Sequence, residues 1–228
     1  MTSLTPEELL TTTRAVRKRL DLEKPVEIQL VEKCIEIAQQ APTASNRQNW
    51  HFMIITDQSI KNSLSDLFRK GWQSYINSPT SVATTTSSDD PKKSKTQRKI
   101  YESAKYLVDN LRNVPVFVIP CIEGRTDGSN VSVVVQSAIW GSIAPAVWNF
   151  MLAARLHGLG TTWTSFHLLF EKEAAELLKI PYEKVMQVAL LPVAYYKGTS
   201  FKPAPRDPIE KIIHINSCLL YTSDAADD

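Results

Sequence analysis

The sequence predicts one domain of the α/β or α+β class, in which helices pack against a β-sheet. Its 228 residues, of which 43% are apolar and 22% charged, suffice for a sizeable core and exclude disorder or a coiled coil for most of the chain. Short apolar runs typical of strands alternate with longer segments whose apolar residues recur at helical spacing. No internal repeat and no long linker interrupts this order, so we expect a single domain.

The first third of the chain carries signals for two helices, a strand and a third helix. The motif TPEE at residues 5–8 provides an N-cap threonine, a proline at the first helical position and a capping-box glutamate. Apolar residues at helical spacing predict a second helix from about Val26 until Pro42. Residues 50–56 (WHFMIIT) predict a buried strand, which a helix should follow.

Residues 77–99 are rich in Ser, Thr, Asp and Lys and almost free of apolar side chains, which predicts a mobile surface insertion. The alternation of helices and strands resumes after it. The expected elements are a helix at about 100–111, a strand at 114–122, a helix at 133–157, a strand at 161–164, a helix at 171–178 and a strand at 185–194. The long helix should end at Gly158 and be buried over much of its circumference.

Cysteine content and hydropathy indicate a soluble, cytoplasmic protein. The three cysteines form no close pair, which disfavours a disulfide framework or a cysteine zinc site and suits a reducing compartment. No uninterrupted apolar run approaches the roughly 18–20 residues of a membrane span. The N-terminus lacks the basic and apolar regions of a secretory signal.

The last eleven residues, 218–228, resemble the translated read-through of a sequencing adapter and are expected to be non-native. Residues 1–217 then form the expected domain. The whole chain has a formal net charge of +2, and this tail contributes three aspartates and no basic residue, so residues 1–217 carry +5. A mild positive charge suits an anionic cofactor and does not require nucleic acid.

Common catalytic motifs are missing from the sequence. The chain has no P-loop motif, no third glycine after Gly158 and Gly160 for a dinucleotide fingerprint, and no G-x-S-x-G elbow. The four histidines are scattered without the spacing of metal ligands, so we expect no metal site. Hydrolases and metalloenzymes are therefore disfavoured.

Three segments carry residues suited to a phosphate-bearing aromatic ligand. Arg14 and Arg17 lie three residues apart where the first helix ends, so both guanidinium groups can reach one phosphate, although a solvated basic face is an alternative. The loop at 42–50 carries Asn46 and Gln48, whose amides match a heterocycle edge, although a plain connecting loop is also open. Residues 158–166 offer backbone N–H groups flanked by aromatic side chains, which could line the edge of a flat ring.

Together these segments resemble the FMN-dependent nitroreductase family, and the resemblance spans residues 9–217. The family pattern R-x-S-x-R corresponds to residues 13–17. Thr13 stands at the first arginine and Ala15 at the serine, which removes one side-chain contact to the phosphate or the ribityl chain.

Three further segments are similar to the family. Residues 41–50 match the pattern A-P-[ST]-x-x-N-x-Q-x-W, with Asn49 in place of a frequent proline. The end of the long helix at 152–160 and the Thr-Thr-Trp that follows at 161–163 are similar as well. So is a late arginine after a proline-rich turn, Arg206.

The resemblance implies an α+β fold, a three-layer sandwich whose mixed central sheet is flanked by helices, in a homodimer with two FMN sites at its interface. It assigns the FMN phosphate to Arg14, Arg17 and Arg206, and directs a backbone N–H near Ser165 at flavin N5. The cofactor-binding positions that it implies are Arg14, Ala15, Arg17, Pro42, Thr43, Ala44, Asn46, Gln48, Trp163, Thr164, Ser165, Phe166 and Arg206. No catalytic side chain is implied, because the flavin carries the hydride chemistry. Residues 212–215, which have strand-like composition, are expected to pack against the partner subunit.

The implied activity is reduction of nitroaromatics, quinones or similar electron-poor acceptors by NADH or NADPH, in a ping-pong cycle over one flavin face. Residues 77–99 would then form a flap near the mouth of the site. A dehalogenase or flavin-fragmenting branch of the same superfamily is the nearest alternative, and a flavin-binding protein without turnover is another. A nucleic-acid-binding module built on the basic residues at 92–99 is less well supported than a solvated loop, since no aromatic side chain interleaves them.

Overall fold

The computed structural model describes residues 4–78, 81, 91–199 and 201–218. Of the tail at 218–228, Cys218 is among them and is exposed, and the other residues lie outside the described chain. The helices are α1 (Pro6–Thr12), α2 (Ile28–Ala38), α3 (Gln58–Ile76), α4 (Pro91–Asn110), α5 (Val133–Leu156) and α6 (Glu171–Leu178). The strands are β1 (Trp50–Ile55), β2 (Val116–Glu123), β3 (Leu159–Thr161), β4 (Val185–Gln187) and β5 (Leu191–Tyr195).

The strands of the described chain form one five-stranded sheet in the order β1-β2-β5-β3, with β4 also paired to β2. The pairs between these strands are antiparallel, and one isolated parallel bridge joins Gly124 to Val185. β2 lies at the centre of the sheet, and all of its residues except Glu123 are buried.

Alternate side chains of β2 enter two separate cores, one on each face of the sheet. Val116, Val118 and Ile122 belong to a core that they share with α2 and α5. Phe117, Ile119 and Cys121 belong to a second core, which they share with α3, α4 and α6. The sheet therefore lies between two layers of helices, and the expected three-layer α+β sandwich is confirmed.

Local signals in the sequence determine several helix ends. The Glu8 N–H donates to Thr5 Oγ1 at 3.1 Å and the Thr5 N–H donates to Glu8 Oε2 at 2.8 Å, so α1 begins with the expected capping box. α5 ends at Leu156, and Gly158 follows with a φ of +76°, a conformation that glycine adopts without steric cost. The helix expected at 171–178 is also present.

The segment expected to be a surface insertion is partly helical. α4 begins at Pro91, so residues 91–99 form its first turns. Their Lys, Gln and Arg residues are good helix formers, but apolar residues at helical spacing begin only at Ile100. The helix therefore begins before the expected start at about residue 100, which was placed from apolar spacing alone, and the mobility expected for 77–99 stays a prediction. Residues 79–80 and 82–90 lie outside the described chain.

Other boundaries also differ from expectation. The strand at 50–56 is buried only at Ile55, because β1 is the edge strand of the described sheet. The strand expected at 185–194 is two strands, β4 and β5, which pair with different parts of β2. The strand expected at 161–164 begins earlier, at Leu159. Residues 212–215 form no strand with any described residue, and most of their side chains are exposed.

α5 has the length and apolar composition of a membrane-spanning helix, and it is the one such helix in the described chain. The search for an uninterrupted apolar run missed it because single polar residues divide the run. Ile143, Val147 and Phe150 are fully buried in the core shared with α2 and the sheet. This is the position of a core helix.

Candidate functional site

Five basic side chains surround a cavity of about 290 Å³ that lies between the segment after α1, the middle of α4 and the segment after β5. We call it the basic pocket, and its lining residues are Arg14, Ala15, Val16, Arg17, Lys18, Arg19, Ser103, Phe201 and Lys202. Glu102 pairs with Lys18, with 3.6 Å between Oε2 and Nζ. The pocket remains strongly positive, which suits an anionic ligand.

The side chain of Arg17 is half-buried and makes no hydrogen bond or ion pair with any described residue. By contrast, Arg14 donates to the carbonyl oxygen of Lys202 at 2.9 Å and Arg19 donates to that of Lys197 at 2.7 Å. Burial lowers the pKa of Arg17, because removal from water disfavours the charged guanidinium. An unpaired, partly buried cation is costly, and an anion bound beside it relieves that cost.

Packing on both sides of Arg17 fixes its backbone. The Val16 N–H donates to the carbonyl oxygen of Thr161 in β3 at 2.9 Å, and the Val16 side chain is buried. A Cβ on Gly160 would lie 2.9 Å from the Val16 side chain, so glycine is needed for this close approach. Leu20 is buried as well. Arg17 therefore extends from a segment that is anchored along β3.

Two arginines contact the ring of Phe201. The guanidinium carbon of Arg19 lies 4.0 Å from the ring centroid and that of Arg155 lies 4.2 Å from it. Arg155 is buried and donates a hydrogen bond to the hydroxyl oxygen of Tyr196. We call this group the Phe201 clasp, and it attaches the C-terminal segment to the wall of the basic pocket.

A second cavity, of about 170 Å³, adjoins the basic pocket, and Arg17 lines both. We call it the aromatic pocket, and its other lining residues are Phe68, Trp72, Tyr75, Ile100, Ala104, Leu107, Trp163, Thr164, Ser165 and Phe166. The ring centroid of Phe166 lies 5.3 Å from that of Trp72 and 5.1 Å from that of Tyr75. These aromatic walls suit a flat ring.

Backbone contacts fix the segment 163–166. Thr164 and Leu190 exchange N–H···O hydrogen bonds of 3.2 and 2.9 Å. Gly71 of α3 packs so closely on Phe166 that a Cβ at this glycine would lie 1.9 Å from the Phe166 carbonyl oxygen. The Ser165 N–H donates to no acceptor among the described residues, so it is available to a ligand.

Three residues of the loop between α2 and β1 have a left-handed backbone conformation. Ser45, Asn46 and Gln48 have φ angles of +54°, +51° and +50°, which cost a non-glycine residue on the order of 1–2 kcal/mol each. The Ala44 N–H donates to Ser142 Oγ at 3.0 Å, and Gln48 Nε2 donates to Asn46 Oδ1 at 2.8 Å. Strain of this kind clusters at ligand sites.

The residues expected from the sequence fall into separate groups. Arg14, Ala15 and Arg17 line the basic pocket, and residues 163–166 line the aromatic pocket. Ala44 lines a third cavity, of about 360 Å³, against the start of α5. The other expected residues of that loop are Pro42, which is exposed, and Thr43, Asn46 and Gln48, which bond to one another.

Arg206 is exposed, and its guanidinium donates to the adjacent Pro205 carbonyl oxygen at 3.2 Å. It does not line the basic pocket, whereas Lys202 does. Sequence reasoning missed Lys202, although the basic run at 14–19 was a signal for the other cations of the pocket. It also missed Trp72 and Ser103, because long-range packing of α3 and α4 places them there and leaves no local signal.

Three buried titratable side chains, those of His167, Cys34 and Cys121, are held neutral by burial. Burial lowers the pKa of His167 to about 3, and neither ring nitrogen has a hydrogen-bond partner among the described residues. Burial also raises the pKa of Cys34 to about 11 and that of Cys121 to about 12. None of the three is suited to proton transfer or nucleophilic attack near neutral pH.

The fold is an α+β sandwich in which an aromatic pocket adjoins a basic pocket. Residues 10–195 match the model of the Nitroreductase family, and the chain belongs to this family of oxidoreductases. A protein of Archaeoglobus fulgidus named "Putative NADH dehydrogenase/NAD(P)H nitroreductase" is 26% identical over 192 residues, which are 83% of this chain and 84% of that protein.

Solved structures share the fold. A BluB-like flavoprotein from Clostridium difficile 630 superposes with a TM-score of 0.67 at 17% identity, over 94% of this chain and 100% of that one. An iodotyrosine deiodinase bound to FMN and 3-iodo-L-tyrosine superposes with a TM-score of 0.64 at 20% identity, over 93% of this chain and 98% of the other.

Proposed function

We propose that the protein is an FMN-dependent oxidoreductase that uses NADH or NADPH to reduce nitroaromatic, quinone or similar electron-poor acceptors in the cytoplasm. The observation that carries this proposal is the half-buried, unpaired Arg17, which lies between a basic and an aromatic pocket. FMN joins a phosphate dianion to a flat ring system, so it matches both pockets and supplies the missing counter-charge.

The chain's own residues would bind and orient the cofactor. Arg14 and Arg17 hold the phosphate, with Arg206 as a third candidate that must move to reach it. Ser165 offers its free N–H to flavin N5, and the strained loop around Asn46 borders the ribityl chain and the ring. Bound FMN supplies the capacity to accept a hydride and pass it on.

No described acidic side chain lines the aromatic pocket, and His167 is buried and neutral. Protons for the acceptor therefore come from water. Because donor and acceptor would stack in turn on the same exposed face of the flavin, we expect ping-pong kinetics.

The site is incomplete in one chain. The basic and aromatic pockets are separate from the cavity at Ala44, so one chain does not bring the loop around Asn46 to the other residues expected around FMN. Val133, Trp140 and Trp148 are exposed along α5, whose first half lines that third cavity, and exposed apolar surfaces mark interaction sites. We propose a homodimer in which the loop at Ala44 of one copy closes the pockets of the other.

Subunit complementation tests both proposals. Arg17→Ala removes the phosphate contact, and Asn46→Gly removes the amide but keeps the left-handed backbone. Each homodimer should lose FMN. In a two-fold dimer assembled at random from the two variants, half of the molecules are mixed and each regains one intact site, so about a quarter of wild-type flavin and activity should return.

The outcomes separate the alternatives. No recovery on mixing would show that both residues serve the same chain's site and would refute the shared site. A colourless wild-type protein that gains no flavin on incubation with FMN would refute the proposed function itself. A yellow protein that oxidises neither NADH nor NADPH with a quinone or a nitroarene would be a flavin-binding protein, and turnover of an aryl halide instead would indicate a dehalogenase.

A further inference from the structure

The basic pocket holds more positive charge than a single phosphate dianion requires. Arg14 and Arg17 can neutralise the FMN phosphate between them. Lys18 and Lys202 line the same cavity, and Glu102 offsets Lys18. A second anionic group therefore fits beside the first.

Two lysines of α4 extend the positive surface beyond the basic pocket. Lys99 precedes Ser103, which lines the basic pocket, by one helical turn, and Lys95 precedes it by two, so the three lie along one side of the helix. The contact between Glu102 and Lys18 shows that this side faces the basic segment. Both lysines are exposed, and neither pairs with a carboxylate among the described residues.

The adjacent side of α4 faces the aromatic pocket. Three residues of α4 line that pocket, namely Ile100, Ala104 and Leu107. The same helix therefore borders the proposed site of the flavin ring and carries the two lysines next to it. Lys99 lies about 6 Å and Lys95 about 12 Å along the helix axis from Ser103, at a rise of about 1.5 Å per residue. Ile100 lines the aromatic pocket and is five residues from Lys95, about 7.5 Å along the axis, so a ligand whose ring stacks on a flavin held there can reach the two lysines with an anionic group at its other end.

We propose that Lys95 and Lys99 of α4 bind the 2′-phosphate of NADPH and make NADPH the preferred electron donor; this rests on the proposed function. NADPH and NADH share the nicotinamide ring and the pyrophosphate, and they differ in this one group, at the far end from the ring. An ammonium group on a flexible stem is suited to such an exposed dianion as a point charge. NADH presents nothing that the two lysines can recognise.

The first test is kinetic and uses the flavin-loaded enzyme. Wild type should have a kcat/KM for NADPH that exceeds that for NADH by about 10-fold or more, since two partly exposed charge contacts give roughly that factor. Lys95→Gln/Lys99→Gln should remove most of this preference and leave kcat/KM for NADH within about 2-fold. Lys105→Gln is the matched control, because it removes a lysine from another side of α4, where it pairs with Asp109 at 2.6 Å.

The second test needs no turnover. Isothermal titration should show that 2′,5′-ADP binds wild type about 10-fold more tightly than 5′-AMP. The double lysine variant should bind the two nucleotides alike. This measurement still tests the lysines if the protein proves to have no flavin activity, so failure of the inference is distinguishable from failure of the proposed function.

Three results would overturn the inference. The first is equal kcat/KM for the two donors in wild type. The second is an equal loss for both donors in the double variant, which would show a general electrostatic field. The third is 2′,5′-ADP binding that does not respond to the substitutions.

Discussion

Replacing Arg17 by methionine should have opposite effects on the free and the FMN-bound protein. Methionine keeps an unbranched stem of similar length and removes the charge. The side chain is half-buried and has no partner among the described residues, so the free protein loses no interaction and no longer buries an unpaired cation. Its free energy of unfolding should rise, or stay within about 0.5 kcal/mol of wild type. A charge-assisted hydrogen bond to phosphate is worth about 1.5–3 kcal/mol, so FMN should bind about 10- to 150-fold more weakly.

The assay is a fluorescence titration of the flavin-free protein with FMN and with riboflavin, combined with urea unfolding. Riboflavin lacks the phosphate, so its affinity should hardly change. Arg69→Met is the matched control: Arg69 pairs with Asp66 at 2.9 Å and lines neither pocket. It should lower stability slightly and leave both flavins bound.

Unchanged FMN affinity in Arg17→Met would place the phosphate elsewhere. Equal losses for FMN and riboflavin would show that Arg17 supports the fold or the dimer instead of the phosphate. A fall in the stability of the free protein by more than about 1 kcal/mol would contradict the absence of a partner.

Three further predictions follow from the packing and burial of individual residues. Gly71→Ala should lower the free energy of unfolding, measured in urea, by about 1–3 kcal/mol, because the new methyl carbon would lie 1.9 Å from the Phe166 carbonyl oxygen. Ser74→Ala, on the exposed side of the same helix, is the control and should change this free energy by less than about 0.5 kcal/mol. Burial lowers the pKa of His167 from 6.5 to about 3 in the folded protein, so between pH 6.5 and 3 only the unfolded state binds a proton at this imidazole. The free energy of unfolding should therefore fall by about 1.4 kcal/mol for each pH unit below 6.5. His167→Leu should remove this pH-dependent contribution. The native protein should react quickly with one equivalent of a thiol reagent, at exposed Cys218, since the other cysteines are buried, and removal of 218–228 should abolish this reaction without changing the melting temperature.

The parts of the fold that the sequence predicts well are those that depend on neighbours in the chain. The capping box of α1 and the stop of α5 before Gly158 each involve residues within one turn. The start of α4 was missed because its first turns carry no apolar residues to reveal the helical period. The division between β4 and β5 was missed because it depends on how each pairs with β2, which no local pattern encodes.

The candidate site shows the same division. The resemblance of the sequence to the family pointed to Arg17 and to the loop around Asn46. The position of Trp72 in the wall of the aromatic pocket depends on how α3 packs on the segment 163–166, which the sequence does not reveal. The left-handed backbone at Ser45 could not be predicted either, because serine does not favour that conformation. The role of Arg206 in phosphate binding stays a prediction, since its side chain is exposed in the described chain.

The Phe201 clasp has a consequence for where the chain can be cut or extended. It joins a segment near the N-terminus to one near the C-terminus, because two arginines lie against one aromatic ring. A tag or partner domain fused beyond Lys202 leaves the wall of the basic pocket intact, whereas a protease nick between Tyr196 and Phe201 would detach that wall while the sheet stays paired. Limited proteolysis of that short stretch would open the pocket without unfolding the protein.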